Sequence, residues 1–240
     1  GGEYLEQTIQ SVIHQKESDT EYILIDGGST DESMQIINRY SAYIDYWISE
    51  PDNGLYDALN RGVNLCRGKF VGAIHSNDFY ASYAMVELKK SIVQNPATSF
   101  FYGNLWYLDT DTFWIRGREI TNTSQMVMFG DFFHPTNFIK RQEYQNQGTY
   151  DLKYHIAADY DLGIRFWKAG LHFQYIPKAM AFFRLGGLSG NLYRNQWQRH
   201  QIRLANGEVY PYSLFIMVLV LGNFYLKTFA KKCFKVFFRE

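Results

Sequence analysis

The feature that most constrains this chain is an alternation of two hydrophobic periods through its first 110 residues. Leu5, Ile9, Val12 and Ile13 recur at helical spacing, and Tyr22 to Ile25 is a short apolar run that stops at Asp26-Gly27-Gly28. Ser29 and Glu32 stand in capping-box positions for a second helix carrying Met34, Ile37 and Tyr40 on one face, and a strand follows at Tyr46 to Ser49. Beyond the turn Pro51-Asp52-Asn53-Gly54, the residues Leu55, Ala58, Leu59 and Val63 mark a third helix closed near Gly68, and Lys69 to Ile74 reads as a buried strand. A helix over about Ser82 to Gln94 and a strand near Ser99 to Gly103 complete the run. Helices set between short apolar strands imply an α/β fold with an open, mostly parallel sheet covered on both faces. The same rhythm expects a strand to feed the first helix, so a first strand is expected to be missing ahead of Gly1.

The pattern then changes. Leu105 to Ile115 reads as two aromatic-rich strands around Asp109-Thr110-Asp111, a hairpin with antiparallel pairing. Asp159 to Trp167 is a helix stopped by Gly170, with a short strand at Phe173 to Ile176 and a flexible loop at Gly186-Gly187-Leu188-Ser189-Gly190. Three segments result: a domain over 1–190, a polar connecting helix over 191–208, and a hydrophobic and basic segment over 209–240. The 18 residues from Val209 to Leu226 carry no charge, and Lys227, Lys231, Lys232, Lys235 and Arg239 follow. That is at the low edge of a bilayer span, and an interfacial helix anchored by basic residues suits it as well. Charge excludes one class of partner: 24 Lys and Arg balance 24 Asp and Glu, which argues against nucleic acid. Cys66 and Cys233 match no C-x-x-C spacing, and no secretory signal is read, so reduced thiols in a cytoplasmic setting are expected.

Ligand groups of an open α/β sheet sit at strand ends, and three acidic positions are candidates there. Asp26 ends the first visible strand, where Gly27 and Gly28 let a ligand approach the backbone; a capped strand-to-helix turn explains the same residues. Asp78 closes His75-Ser76-Asn77-Asp78 after a core strand. Its carboxylate suits Mg²⁺ or Mn²⁺ and the His75 imidazole suits Mn²⁺, although Asn-Asp pairs also simply end strands. Asp159 and Asp161 flank Tyr160 in a first helical turn, where either the helix dipole or a general base accounts for a carboxylate. At i and i+2 their side chains diverge, so at most one faces a given site.

Taken together, these segments resemble the inverting family 2 glycosyltransferases of GT-A fold. The resemblance rests on Tyr4 to Val12, on Ile25-Asp26-Gly27-Gly28-Ser29-Thr30-Asp31, on Ser49 to Gly62, and on Ala158-Asp159-Tyr160-Asp161-Leu162, and it covers about residues 1 to 190. It implies a GT-A, Rossmann-like mixed sheet and transfer of a sugar from a nucleotide-diphosphate donor to an acceptor hydroxyl, with Asp159 as base. It further implies that Asp26, Gly28, Asp57, Asn60, Arg61, Ser76, Asn77, His134 and Arg184 bind the nucleotide sugar. The metal, Mn²⁺ or Mg²⁺, would fall to Asp78 with His75, although His75 and Asn77 stand where the family often has acids. Arg184 and the loop at 186–189 look like the segment that closes over the donor. By analogy, the acceptor is a glycan or lipid-linked glycan of a cell-surface polysaccharide, and the enzyme works at the inner face of the plasma membrane, peripheral or anchored. Two rivals stand beside this reading. One is a non-catalytic sugar-nucleotide or partner-binding module, suggested by the atypical residues 75–78. The other is a nucleotidyltransferase, which should show a Gly-rich basic phosphate loop that is not visible.

Overall fold

The computed structural model describes residues 2–109, 112–128, 130, 133–186 and 191–237, with side chains to residue 226. Two compact units divide between Leu185 and Gly186.

In the first unit, helix α1 (Gly2–Ile13) lays Leu5 and Ile9 against Leu24 of strand β1 (Ile23–Asp26) and against Ile36 and Ile37 of helix α2 (Ser33–Tyr40). The helical spacing of the first and the apolar run of the second produce this contact directly. β1 pairs in parallel with β2 (Tyr46–Ser49), Ile23 opposite Tyr46 and Asp26 opposite Ser49. Helix α3 (Leu55–Leu65) follows the turn after β2.

A second sheet has the order β3 (Phe70–Gly72), β7 (Phe138–Lys140), β5 (Phe100–Leu108), β8 (Phe173–Arg184) and β4 (Phe79–Tyr80), with β6 (Phe113–Arg116) also on β5. Its core joins Phe101 and Leu105 of β5, Phe138, and Met180 and Ala181 of β8 to Ala84 and Leu88 of helix α4 (Ala84–Gln94). Val12 of α1 packs against both cores. β5 and β8 run parallel with a register shift around Asn104. A side chain at Gly103 would meet the Lys178 carbonyl at 2.9 Å and the Met180 side chain at 2.5 Å, so the shift needs glycine there. Helices α5 (Thr123–Met128), α6 (Arg141–Gln147) and α7 (Ala158–Lys168) complete the unit.

The mixed α/β class is as expected. Among the described residues β1–β2 and β5–β8 are parallel, whereas β3–β7, β4–β8, β5–β6 and β5–β7 are antiparallel. Apolar runs report burial and carry no information on strand direction. The hairpin is present: β5 and β6 pair antiparallel, and the Asp109 N–H donates to the Thr112 carbonyl. The run 69–74 yields only the three-residue β3, and the strand expected at 173–176 extends to Arg184 because β5 pairs along its length.

The capping box is also corrected. α2 starts at Ser33, Glu32 makes no side-chain cap, and the Ser33 N–H donates to Asp31 Oδ1 at 3.0 Å. The Ser29 hydroxyl goes instead to Asp26, a carboxylate being the stronger acceptor.

A cavity of about 630 Å³ is lined by Ile23 to Gly27, by Gly68 to Ser76, by Leu5, Thr8 and Val12 of α1, and by Leu55, Ala58 and Leu59 of α3. Among the described residues β1 pairs with β2 alone and β3 with β7 alone, and both strands line this cavity.

The second unit holds helix α8 (Leu192–Ala205), capped by the Asn191 side chain, and helix α9 (Tyr210–Phe237). The fully buried Arg203 donates from Nε to Ser213 Oγ at 2.9 Å, and His200 Nδ1 lies 2.7 Å from the same oxygen. Ile216 and Met217 of α9 are buried, while Phe215, Val218 and Leu219 are exposed. Among the described residues no helix is long and apolar enough to cross a membrane; Pro211, Ser213, Gly222 and Asn223 dilute the apolar run 209–226. The side chains of the basic cluster from Lys227 onward, and residues 187–190 of the expected donor loop, lie outside the described residues.

Candidate active site

At the end of β1 the Asp26 carboxylate organises a tight turn. Oδ2 accepts from the Gly28 and Ser29 N–H groups and from the Ser49 hydroxyl at 2.6 Å, and Oδ1 accepts from the Ser29 hydroxyl at 2.6 Å. Burial pushes this carboxyl up, but the hydrogen bonds from Ser29, Ser49 and Gly28 together outweigh it, and the net shift is downward. Gly28 has φ +85°, the left-handed region glycine favours. A Cβ at Gly27 would meet the Asp52 carboxylate at 2.5 Å, so the turn after β1 lies directly against the turn after β2.

The second turn is self-contained. Asp57 Oδ2 accepts from the Asn53 N–H at 3.0 Å and from Arg61 at 3.1 Å, and Arg61 also donates to the Pro51 carbonyl. The Asn53 N–H, followed by the Arg61 charge, holds the Asp57 carboxyl below its usual range. Asn60 binds neither turn. Its side-chain amide pairs with the backbone of Tyr150 in both directions, donating to the carbonyl and accepting from the N–H, each at 2.9 Å.

Residues 75–78, after β3, form a loop held from α1. The Thr8 hydroxyl donates to the Asp78 carbonyl at 2.6 Å and lies 3.0 Å from that of Ser76. Arg184 at the end of β8 closes the other side. Its N–H donates to Asp78 Oδ1 at 3.1 Å, its guanidinium donates to the Asn77 carbonyl at 2.7 Å and to Gln7, and the group lies 4.0 Å from the Tyr4 ring centre. Asp78 is 2% exposed, and burial pushes its carboxyl up to about 7 against smaller downward pulls from Arg184.

Among the described residues no three His, Cys, Asp or Glu side chains converge on a metal position. Asp78 alone fits a cation: it is a deeply buried carboxylate with little compensating charge, and Mg²⁺ commonly takes one or two carboxylates while substrate phosphates fill its shell. His75 stands three residues earlier on the same loop. Its ring stacks on His134 at 4.8 Å with 13° between planes, and burial pushes it down to about 4.

From His134 a row of contacts leads to α7. The His134 ring, buried and held neutral first by burial and then by His75, has Nε2 2.9 Å from the Tyr150 hydroxyl, while its Nδ1 is buried without a protein partner. Tyr150 stacks on Tyr56 of α3 at 5.4 Å. The Tyr56 hydroxyl donates to the Ile156 carbonyl at 2.8 Å and lies 3.3 Å from Asp159 Oδ1, which accepts from the Tyr160 N–H at 2.8 Å. Asp161 is turned elsewhere: it holds Arg165 Nε at 2.8 Å, and that guanidinium binds the carbonyls of Gln147 and Thr149. Only Asp159 of the two acids joins the row, as the helical spacing predicts.

His75, Ser76, Asn77 and Asp78 thus share one loop with Arg184 bound against it, Asp26, His75 and Ser76 line one cavity, and His134 links His75 to the row that ends at Asp159. Asp57, Arg61 and Asn60 hold backbone instead. Thr8, Ser49, Tyr56 and Tyr150 are contributors that sequence reasoning missed. Tyr56 lay inside the quoted run Ser49 to Gly62, but its partner is 100 residues away in sequence, and no local pattern reports such a contact.

The arrangement sets carboxylates and a guanidinium at the strand ends of a mixed α/β fold, and comparison with known proteins gives the family. Residues 2–166 match the model described as Glycosyl transferase family 2. The chain belongs to that family. It is 27% identical over 190 residues to a PGL/p-HBAD biosynthesis glycosyltransferase of Mycobacterium bovis, covering 77% of this chain and 73% of that protein. A stretch of 78 residues is 33% identical to chondroitin synthase of Escherichia coli, covering 32% of this chain and 11% of that one. Among solved structures, S. aureus TarS 1–349 in complex with UDP-GlcNAc superposes with TM-score 0.66 at 14% identity, covering 92% of this chain and 68% of that one. The mannosyltransferase PcManGT from Pyrobaculum calidifontis, in complex with GDP-Man and Mn²⁺, gives 0.67 at 12% identity, covering 93% and 71%. The fold is that of GT-A glycosyltransferases.

Proposed function

We propose that this glycosyltransferase is an inverting enzyme that moves a hexosyl group from a nucleoside-diphosphate sugar to an acceptor hydroxyl. The observation that supports this most is the continuous row His75, His134, Tyr150, Tyr56, Asp159, which ties the loop holding Asp78 to a carboxylate at the first turn of α7. In the reaction the acceptor oxygen forms a bond to the anomeric carbon while the bond to the diphosphate oxygen breaks, its electron pair leaving with the diphosphate. The acceptor proton passes to Asp159, and a single displacement inverts the centre. Asp26 faces the nucleotide, Arg184 supplies positive charge beside the diphosphate, and buried neutral His134 offers Nδ1 as a polar group toward substrate. Asp78 would hold the divalent cation, Mn²⁺ or Mg²⁺, which when bound neutralises the departing diphosphate.

The acceptor proposed is a glycan or lipid-linked glycan of a surface polysaccharide, met at the cytoplasmic face of the plasma membrane through α9. The exposed Phe215, Val218 and Leu219 and the basic residues that follow in sequence favour contact with a membrane surface.

A screen of nucleotide sugars for nucleoside-diphosphate release identifies the donor, and Asp159→Asn then tests the assignment. Transfer should fall about 10²–10⁴-fold, the range of general-base contributions, with nucleotide binding unchanged. An unchanged rate would remove Asp159 as the base.

A further inference from the structure

Tyr144, Tyr150 and His134 form a short chain of buried polar groups whose hydrogens have few places to go. All three residues are less than one-tenth exposed. The Tyr150 oxygen lies 2.9 Å from His134 Nε2 and 3.4 Å from the Tyr144 oxygen, and each phenol has one hydrogen to place. His134 Nδ1 is buried without a protein partner. Burial keeps both phenols protonated and the imidazole neutral, so the ring carries a single hydrogen, on Nδ1 or on Nε2.

The two tautomers are not equivalent in this setting. With the hydrogen on Nε2, that N–H donates to Tyr150 and the Tyr150 O–H turns to Tyr144. The Tyr144 O–H then has no acceptor among the described residues, and Nδ1 keeps a bare lone pair. With the hydrogen on Nδ1, Tyr144 donates to Tyr150 and Tyr150 donates to Nε2, so both phenol hydrogens are placed and only the Nδ1–H is open. Each buried polar group left without a partner carries a desolvation penalty, which favours the arrangement with one open group over the arrangement with two. The separations agree: a ring nitrogen is a better acceptor than a phenol oxygen, and the nitrogen is the nearer of the two to Tyr150.

The tautomer matters because the His134 ring stacks on His75, in the loop that carries Asp78. Beside an anionic oxygen a ring N–H attracts, whereas a bare ring nitrogen repels. We infer that Tyr150 is a positioning residue for the sugar nucleotide: by donating to Nε2, with Tyr144 behind it, it holds His134 as the Nδ1–H tautomer and so presents a hydrogen-bond donor to a diphosphate oxygen. The inference rests on the proposed nucleoside-diphosphate sugar and does not involve the base.

Nitrogen NMR of the full chain labelled with 15N-histidine reads the tautomer without any ligand, because protonated and bare ring nitrogens differ widely in shift. The His134 signals are those that vanish in His134→Gln or, should that variant not fold, those showing proximity to the Tyr150 ring. In the unaltered chain Nδ1 should be protonated and Nε2 bare. Tyr150→Phe, which retains a ring to stack on Tyr56, should move the hydrogen toward Nε2. A hydrogen on Nε2 in the unaltered chain, or a tautomer indifferent to Tyr150→Phe, overturns the role of Tyr150. Both chains are then titrated with UDP and GDP and with uridine and guanosine. Tyr150→Phe should weaken diphosphate binding about 10–100-fold, the worth of a hydrogen bond to a charged group, and leave nucleoside binding as it was. Unchanged diphosphate affinity, or equal weakening of diphosphate and nucleoside, overturns the inference. If the unaltered chain binds neither diphosphate, the sugar-nucleotide reading falls and takes this role with it, even where the tautomer is the one expected. If Tyr150→Phe does not fold, the Nδ1–H signal of the unaltered chain decides: it should shift on adding the diphosphate and not the nucleoside, and a signal that ignores the diphosphate overturns the inference.

Discussion

Asp26 shows how a single side chain can serve two purposes. Four hydrogen bonds converge on its carboxylate from Gly28, Ser29 and Ser49, so it shapes the turn that places β1 against the turn after β2. Those bonds favour the ionised form and leave the group with a lowered pKa in the folded protein. The sign of the pH effect follows. Above the unfolded carboxylate value both states are ionised and the full stabilisation is present; as pH falls toward the folded value the unfolded chain takes up the proton first, and the stabilisation is lost. Thermal unfolding across pH 2–6 should therefore show a steeper acid decline for wild type than for Asp26→Asn. Ser49→Ala should fall between them, since it removes one of the stabilising donors. Equal slopes for all three would show that the turn does not depend on the ionised carboxylate. Residue-level reading of the sequence located Asp26, Asp78 and Asp159 because strand ends and helix starts are visible as changes of period. It did not find Thr8, Tyr56 or Tyr150, whose partners lie roughly 70 to 100 residues away, because a hydroxyl in a helix carries no mark of the carbonyl it will meet. Nor did it find that the Asn60 amide, which the resemblance gives to the nucleotide, pairs with the Tyr150 backbone.

At the level of elements the helices were legible and the strand directions were not. Burial periodicity marks a helix face unambiguously, whereas an apolar run such as Phe100 to Leu108 looks the same whether its neighbours are parallel, as β8 is, or antiparallel, as β6 and β7 are. β1 and β3 each have an unpaired edge among the described residues, and both line one cavity with α1 and α3. The Gly2 N–H donates to Asp31 Oδ2 at 3.1 Å, so α1 begins beside the turn that leaves β1. A strand joined to α1 at that point would run alongside β1 in the same direction and make the right-handed crossover that such units adopt. Joining five alternating β-branched residues to the N-terminal side of Gly1 should slow amide hydrogen exchange at Leu24, Ile25 and Val71. It should also raise the thermal midpoint by about 2–4 °C for each kcal/mol gained. A Gly-Ser extension of equal length is the comparison, and equal exchange in the two would sink the idea.

Across the whole chain, neutrality conceals a division of charge. Residues 1–100 hold 14 acidic and 7 basic groups, while residues 210–240 hold 1 acidic and 5 basic. The acidic part contains the turns that carry Asp26 and Asp78, and a net negative surface there does not favour a multiply charged nucleotide by itself. Under the proposed function, Arg184 and a cation at Asp78 would supply the attraction. Ahead of these basic residues in sequence, Phe215, Val218 and Leu219 of α9 are spaced as one helix face and stand about half exposed. An exposed apolar face followed by five basic residues suits an anionic bilayer surface: apolar burial contributes about 1.5–3 kcal/mol for each large side chain. Each Lys or Arg near the headgroups adds about 1 kcal/mol. In flotation with phosphatidylglycerol vesicles the chain should rise with the lipid at low salt. Replacing Phe215, Val218 and Leu219 together by serine should abolish this, because the apolar term is removed while the charges remain. Raising the salt should weaken binding of the unaltered chain by screening the second term. Flotation that survives the triple substitution, or that never occurs on anionic vesicles, would separate α9 from any membrane role and leave the glycosyltransferase unit to find its acceptor in solution.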